Sequence, residues 1–147
     1  MGSQTLNIYI ENLFNTQWAV LNPTITIKFD NVDFTVPDAA AWVALEVWEG
    51  ESTKASMGSG TQLRRTSGTA FVTIYVPKST NSKTARGYAD QVKGIFRDLH
   101  ASNVIFFEGS VSRLGEVYYP GTGGGTTGSA QWFQMKVAIP FIYNEYL

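Results

Sequence analysis

Between Thr69 and Leu99 the apolar residues change period in mid-course. In Thr69 to Val76, Phe71, Thr73 and Tyr75 fall on one face and Ala70, Val72, Ile74 and Val76 on the other, so the spacing predicts a strand buried on both sides. After Pro77 and a Ser/Thr/Asn/Lys loop, Ala85, Ala89, Val92, Ile95, Phe96 and Leu99 recur at helical spacing, which predicts one amphipathic helix from Ser82 to Leu99. The unit reads as a strand whose following helix folds back over the sheet.

Leu6, Ile10, Leu13 and Phe14 share a helical stripe. They predict a first helix capped by Ser3 and ending near Trp18, with Pro23 closing off any continuation. Ile25, Ile27 and Phe29 alternate, and an Asp30-Asn31 turn followed by Val32 to Val36 completes an expected hairpin. Val43, Leu45 and Val47 alternate with Trp42, Ala44, Glu46 and Trp48, giving a strand from Ala41 to Glu49. Gly50 to Gly60 has no period and reads as an extended surface excursion, a hairpin arm. Asn103 to Phe107 predicts a strand, and Val111 to Tyr119 a weaker one. Gly121 to Gly128 has nothing to bury and reads as a mobile loop. The last strand, Trp132 to Tyr143, sets Phe133, Met135, Val137, Ile139 and Phe141 against Gln134, Lys136 and Ala138, with Pro140 pointing to an edge or a bulge. Together these elements predict an α+β fold: a mostly antiparallel sheet of about six strands with two α-helices packed on one face. With 147 residues, no internal repeat and no linker, residues 1–147 form a single domain, with the Ser52–Gly60 arm and the Gly121–Gly128 loop as excursions.

Composition narrows the function. A hydrophobic fraction of 44% with 16% charged residues excludes a disordered chain. Four Trp, seven Tyr and nine Phe exceed what a small core encloses easily, which favours a sizeable protein–protein interface. A formal charge of -1 lacks the basic excess of a free nucleic-acid binder. The absence of cysteine removes disulfides, thiolate catalysis and Cys-based metal sites. No apolar run is long enough for a membrane span, no leader pattern is present, and Leu6 breaks the myristoylation pattern, so a soluble, unprocessed protein is expected.

No catalytic constellation emerges. The Gly121 to Gly128 loop lacks the Lys-Ser/Thr pair of a phosphate cradle. His100, the only histidine, is expected to cap the second helix, and it can build neither a zinc site nor a triad alone. Glu46, Glu49, Glu51, Glu108 and Glu116 lie in or beside strands. With Trp18, Trp42, Trp48 and Trp132 they leave open a carbohydrate-binding or glycoside-cleaving module. No cofactor and no metal ligand set is expected. Arg64 and Arg65 are adjacent strand residues, so one of them should turn away from solvent or toward a partner surface, where arginine readily takes a carboxylate in a bidentate pair.

The order of features, "FTVPD", then "GTQLRRTSGTAFVTIYVPKSTNSKTARGYADQVKGIFRDL", then "QWFQMKVAIPFIYNEYL", resembles the small tail terminator and tail-completion proteins of long-tailed bacteriophages. Its firmest parts are "RRTSGTAFVTIYVP" with the "ARGYADQV" helix, and the "WFQMKVAIPF" strand. The resemblance implies a structural virion protein, not an enzyme, made in the host cytoplasm. It implies a hexameric ring that caps the tail tube, ends its growth and meets the head-to-tail connector. The partners implied are other copies of the chain, the major tail tube protein, the connector and genomic DNA passing through the lumen without sequence readout. Another neck, minor tail or head-completion protein of the same fold is the alternative. On this reading the intersubunit contacts fall on Arg64 and Arg65, on Met57 within the arm, and on Trp132, Phe133 and Tyr143 of the terminal strand.

Overall fold

Two long neighbouring strands organise the molecule, whose computed structural model describes residues 3–37, 40–54, 60, 62–77, 82–97, 99–101, 103–120 and 129–146. Strand β3 (Leu63–Pro77) lies antiparallel between β2 (Trp42–Lys54) and β7 (Ser129–Tyr146). Beyond β2 comes β1 (Thr26–Phe29). The other side of β7 is shared in series by β6 (Ser110–Pro120) and by β5 (Val104–Phe106), which carries the two-residue β4 (His100–Ala101). Helices α1 (Ser3–Leu21) and α2 (Ser82–Phe96) pack side by side on one face of this seven-stranded, mostly antiparallel sheet.

The expected helical stripes are the buried ones. Leu6, Ile10, Phe14 and Trp18 of α1 and Ala85, Ala89, Val92 and Phe96 of α2 meet Val43, Leu45, Val72, Ile74, Val137 and Ile139 of the sheet. Phe14 stacks between Trp18 at 5.5 Å and Phe96 at 6.1 Å, so one ring joins both helices. The Asn22 side-chain amide donates to Gln91 Oε1 at 2.8 Å and ties the end of α1 to the middle of α2. Gly68 of β3 is required by close approach: a Cβ there would stand 2.6 Å from Cζ of Phe141, whose ring lies across the bare backbone.

Several expectations give way. α1 runs on to Leu21, because Pro23 rather than Trp18 is the first residue unable to continue it. The Thr24–Val36 hairpin does not form. β1 pairs parallel with β2 (Thr26 opposite Trp42), and residues 32–36, after a turn with Asn31 at φ 56°, have no strand partner among the described residues. Phe34 and Val36 instead cover Trp42, Ala44, Tyr75 and Trp132 on the outer face of the sheet, where their apolar groups leave water. The second helix ends at Phe96, short of the expected Leu99, and the backbone of His100, expected to cap it, lies in β4 opposite Ile105, with Asn103 at φ 67°. Pro140 lies inside the sheet and not at its edge. It faces Thr69 of β3, and its carbonyl accepts the N–H of Phe107 between the end of β6 pairing at Ala138 and the start of β5 pairing at Phe141. Its missing N–H therefore faces the gap where β7 changes partner. β2 and β3 run well past the expected strand ends and form the base of the arm; Met57 and Gly121 to Gly128 lie outside the described residues.

Candidate functional site

The outer face of the sheet, opposite the helices, splits into a closed end and an open end. At the closed end Trp42 stacks on Tyr75 (3.9 Å, 6°), meets Trp132 edge-on (6.1 Å, 85°) and touches Phe34 at 5.1 Å. Trp132 is 0% exposed and packs within its own subunit. Trp18 and Trp132 also bury their indole N–H groups without a hydrogen-bond partner among the described residues, as rings held for bulk rather than for polar recognition. With Trp18, Trp42 and Trp132 all inside, the row of indoles on which a sugar would stack does not exist.

At the open end Trp48 is 62% exposed. Its indole N–H donates to Glu46 Oε2 at 3.0 Å, its ring meets Phe71 edge-on at 6.4 Å, and Lys136 Nζ lies 4.3 Å from the centre of the Phe71 ring. Trp48, Glu49, Ser67, Thr69 and Phe71 line an open concavity of about 440 Å³. Aromatic faces rimmed by single charges make a contact surface, with no nucleophile paired to a base. Among the described residues no cluster of His, Asp or Glu could hold a metal ion, and no helix is long and apolar enough to cross a membrane.

The arm continues this surface. Arg64 and Arg65 are both exposed, because β2, β3 and β7 extend past the helices and leave both faces of the extension uncovered. Arg65 Nε donates to Asn144 Oδ1 at 3.0 Å across the β3–β7 pair, a contact within the subunit. Neither arginine turns away from solvent as strand alternation suggested. Tyr143 is 5% exposed and part of the helix-side core. Its hydroxyl donates to Glu145 Oε2 at 3.3 Å, and burial, then the charges of Glu145 and Glu49, push its pKa up. Phe133 is half-buried on the same face, under the Arg113 guanidinium at 5.4 Å. Of the residues expected at an interface, the structure thus leaves Arg64 and Arg65 open and draws Trp132, Tyr143 and most of Phe133 inward.

Sequence reasoning missed the edge formed by β6. Val111 and Leu114 on β6 are exposed, as are Ile105 of β5 and Phe107 just after it. A bulge between Arg113 and Gly115, with Gly115 at φ 88°, bends the strand there. Behind this edge Glu108 accepts from Arg97 Nη2 and Lys93 Nζ, each at 3.4 Å, and these bonds hold its carboxyl below the usual range. The signal in the sequence was the weakness of this strand's alternation.

No curated protein sequence matches the chain. One solved structure, of a protein that bears no descriptive name, shares the fold at a TM-score of 0.58 and 13% identity, covering 95% of this chain and 96% of that one. The family model for the phage tail terminator protein matches residues 9–141, from α1 through the centre of β7. A structural family of the viral tail accords with a molecule whose distinguishing features are surfaces and edges, and the chain belongs to the phage tail terminator family.

Proposed function

We propose that this protein forms a closed ring, a hexamer, that seats on the last ring of a polymerised tail tube, stops further growth and presents its opposite surface to the head-to-tail connector. The family match over residues 9–141 carries this reading. The molecule supports it in three ways. An open aromatic patch around Trp48 and Phe71 lies on one face of the sheet. An arm built from the ends of β2, β3 and β7 projects beyond the helices. A formal charge of -1 lets DNA pass a lumen without being held there.

The test is to add the purified protein to its tail tube protein during polymerisation and image the products by negative stain. A capping ring gives tubes that carry extra density at one end and stop lengthening on addition of fresh subunits. Tubes that keep growing at both ends, with no end density, would sink the reading. Within the ring, Arg64→Ala with Arg65→Ala is expected to leave folding intact and weaken assembly, read as loss of ring mass by native mass spectrometry.

A further inference from the structure

Head-to-tail assembly of identical subunits needs two different patches that fit each other. Two of the sheet's edge strands, β1 and β6, differ from each other. Among the described residues β1 pairs only with β2, and β6 pairs only with β7, so each edge presents backbone N–H and C=O groups with no strand beyond it. Their directions also fit. β1 is parallel to β2, and the three antiparallel pairings from β2 to β3, β7 and β6 leave β6 running opposite to β1. Rotation about a ring axis that runs along the strands preserves the sense of each strand. β6 of one copy therefore meets β1 of the next antiparallel, the more stable of the two pairings.

The side chains along the two edges are complementary. On β6, Val111 and Arg113 stand opposite Val137 and Met135 and so face the helix side of the sheet. Val111 is 36% exposed there. On β1 the helix-side row is Ile27 and Phe29, half-buried at the margin of the core. Beside that row stand two carboxylates, Glu11 of α1 and Asp30 just after β1. Burial, then the charge of Asp30, makes the Glu11 carboxyl harder to ionise, against a hydrogen bond with Asn7 that favours ionisation. An arginine delivered to this corner would bridge the two carboxylates and offset one of their two charges, and Arg113 is exposed on the other edge.

We propose that copies of this chain join by antiparallel pairing of the β6 edge of one with the β1 edge of the next, Arg113 of the first reaching Glu11 and Asp30 of the second. This rests on the ring reading above and names its joint. Closed on itself, such a ring covers the β1 edge and the part of β6 that pairs with it, which lowers the risk of open-ended aggregation through those strands.

The test combines charge reversal with amide exchange on the full chain. Arg113→Glu and Asp30→Arg, each checked for an unchanged circular dichroism spectrum, are expected to raise the concentration at which rings dissociate by at least about tenfold, and the double variant to restore it. In the wild-type ring the backbone amides of residues 110–116 are expected to exchange more slowly than in the dissociated subunit. Rings that survive Arg113→Glu, with these amides exchanging alike in both states, overturn the edge pairing and leave the ring in place. Single variants that fail without rescue by the double overturn the Arg113 contact. A wild-type chain that stays monomeric at every concentration, and in the presence of tail tubes, removes the ring reading itself.

Discussion

The two faces of the β2–β3–β7 sheet are built from alternate residues of the same strands, yet only one is finished within the subunit. On the helix side every strand residue from Ala70 to Val76 that points inward is 0% exposed under α1 and α2. On the outer side, among the described residues, the segment through Phe34 and Val36 closes one end around Trp42 and Trp132 and leaves Trp48 in water at the other. Strand patterning places apolar groups on both faces; what differs is how much of the chain is committed to covering each. The open end thus leaves one tryptophan in water beside a half-buried phenylalanine.

The most severe way to break this contrast is to empty the finished side. Phe14→Ala removes the ring that joins Trp18 to Phe96 and is expected to cost about 3–5 kcal/mol. At roughly 2–4 °C per kcal/mol for a domain of this size, the thermal midpoint should fall by on the order of 10 °C. Thermal denaturation followed by circular dichroism reads this directly, and a loss below about 1 kcal/mol would mean that the two helices are not joined through this ring. Phe34→Ala attacks the closed end of the other face. Phe34 is only half-buried, so the expected loss is smaller, about 1–2 kcal/mol. Trp42 and Trp132 would then meet water, and tryptophan emission should shift to the red. An unshifted spectrum would mean that the 32–36 segment is not their cover.

Which parts of this contrast could be read from the chain follows from how local each cause is. The α2 stripe from Ala85 to Phe96 and the two-sided apolar run of β3 are set by spacing within one element, and both were legible. The turn at Asp30-Asn31 was legible too, but its partner was not. Pairing β1 parallel to β2 depends on where residues 32–36 go, and that is tied to the rings of Trp42 and Trp132 that they cover, the second of them distant in sequence. Alternation assigned Trp132 to the face opposite Met135 without revealing that Phe34 would roof it. Pro140 points to an edge or a bulge because a proline cannot donate to a ladder; it is tolerated in the interior because β6 and β5 leave a gap beside it. For the candidate surface, alternation suggested that one of Arg64 and Arg65 turns from solvent or toward a partner surface, but both are exposed on the uncovered extension, and the bare edges of β1 and β6 needed the strand order, which no local pattern encodes.

The helix layer has an outer surface of its own, and two glycines test whether it is finished. Gly87 and Gly94 lie on the exposed side of α2, and a Cβ at either would meet nothing within 4 Å. In the isolated subunit Gly87→Ala and Gly94→Ala should each stabilise by about 0.5–1 kcal/mol, by restricting the unfolded chain and favouring helix. Urea unfolding measures it: a shifted midpoint with an unchanged slope is the expected result. Loss of stability at either position would mean that the helix surface is already in contact with something there.

Trp48→Ala is the smallest of these effects in the subunit and the most telling for the contrast. Its indole holds one hydrogen bond to Glu46 and one edge contact to Phe71, both at the surface, so its removal should change stability by no more than about 0.5 kcal/mol. A cost near that of Phe14 would mean the outer face is as finished as the inner one. Since the other three tryptophans are already buried, a change in emission on assembly reports Trp48 almost alone. Rings in which this emission moves to the blue have covered the open end, with Trp48→Phe abolishing the shift. Rings in which it does not move have joined by their edges only, and the aromatic patch is then left for the tube or the connector.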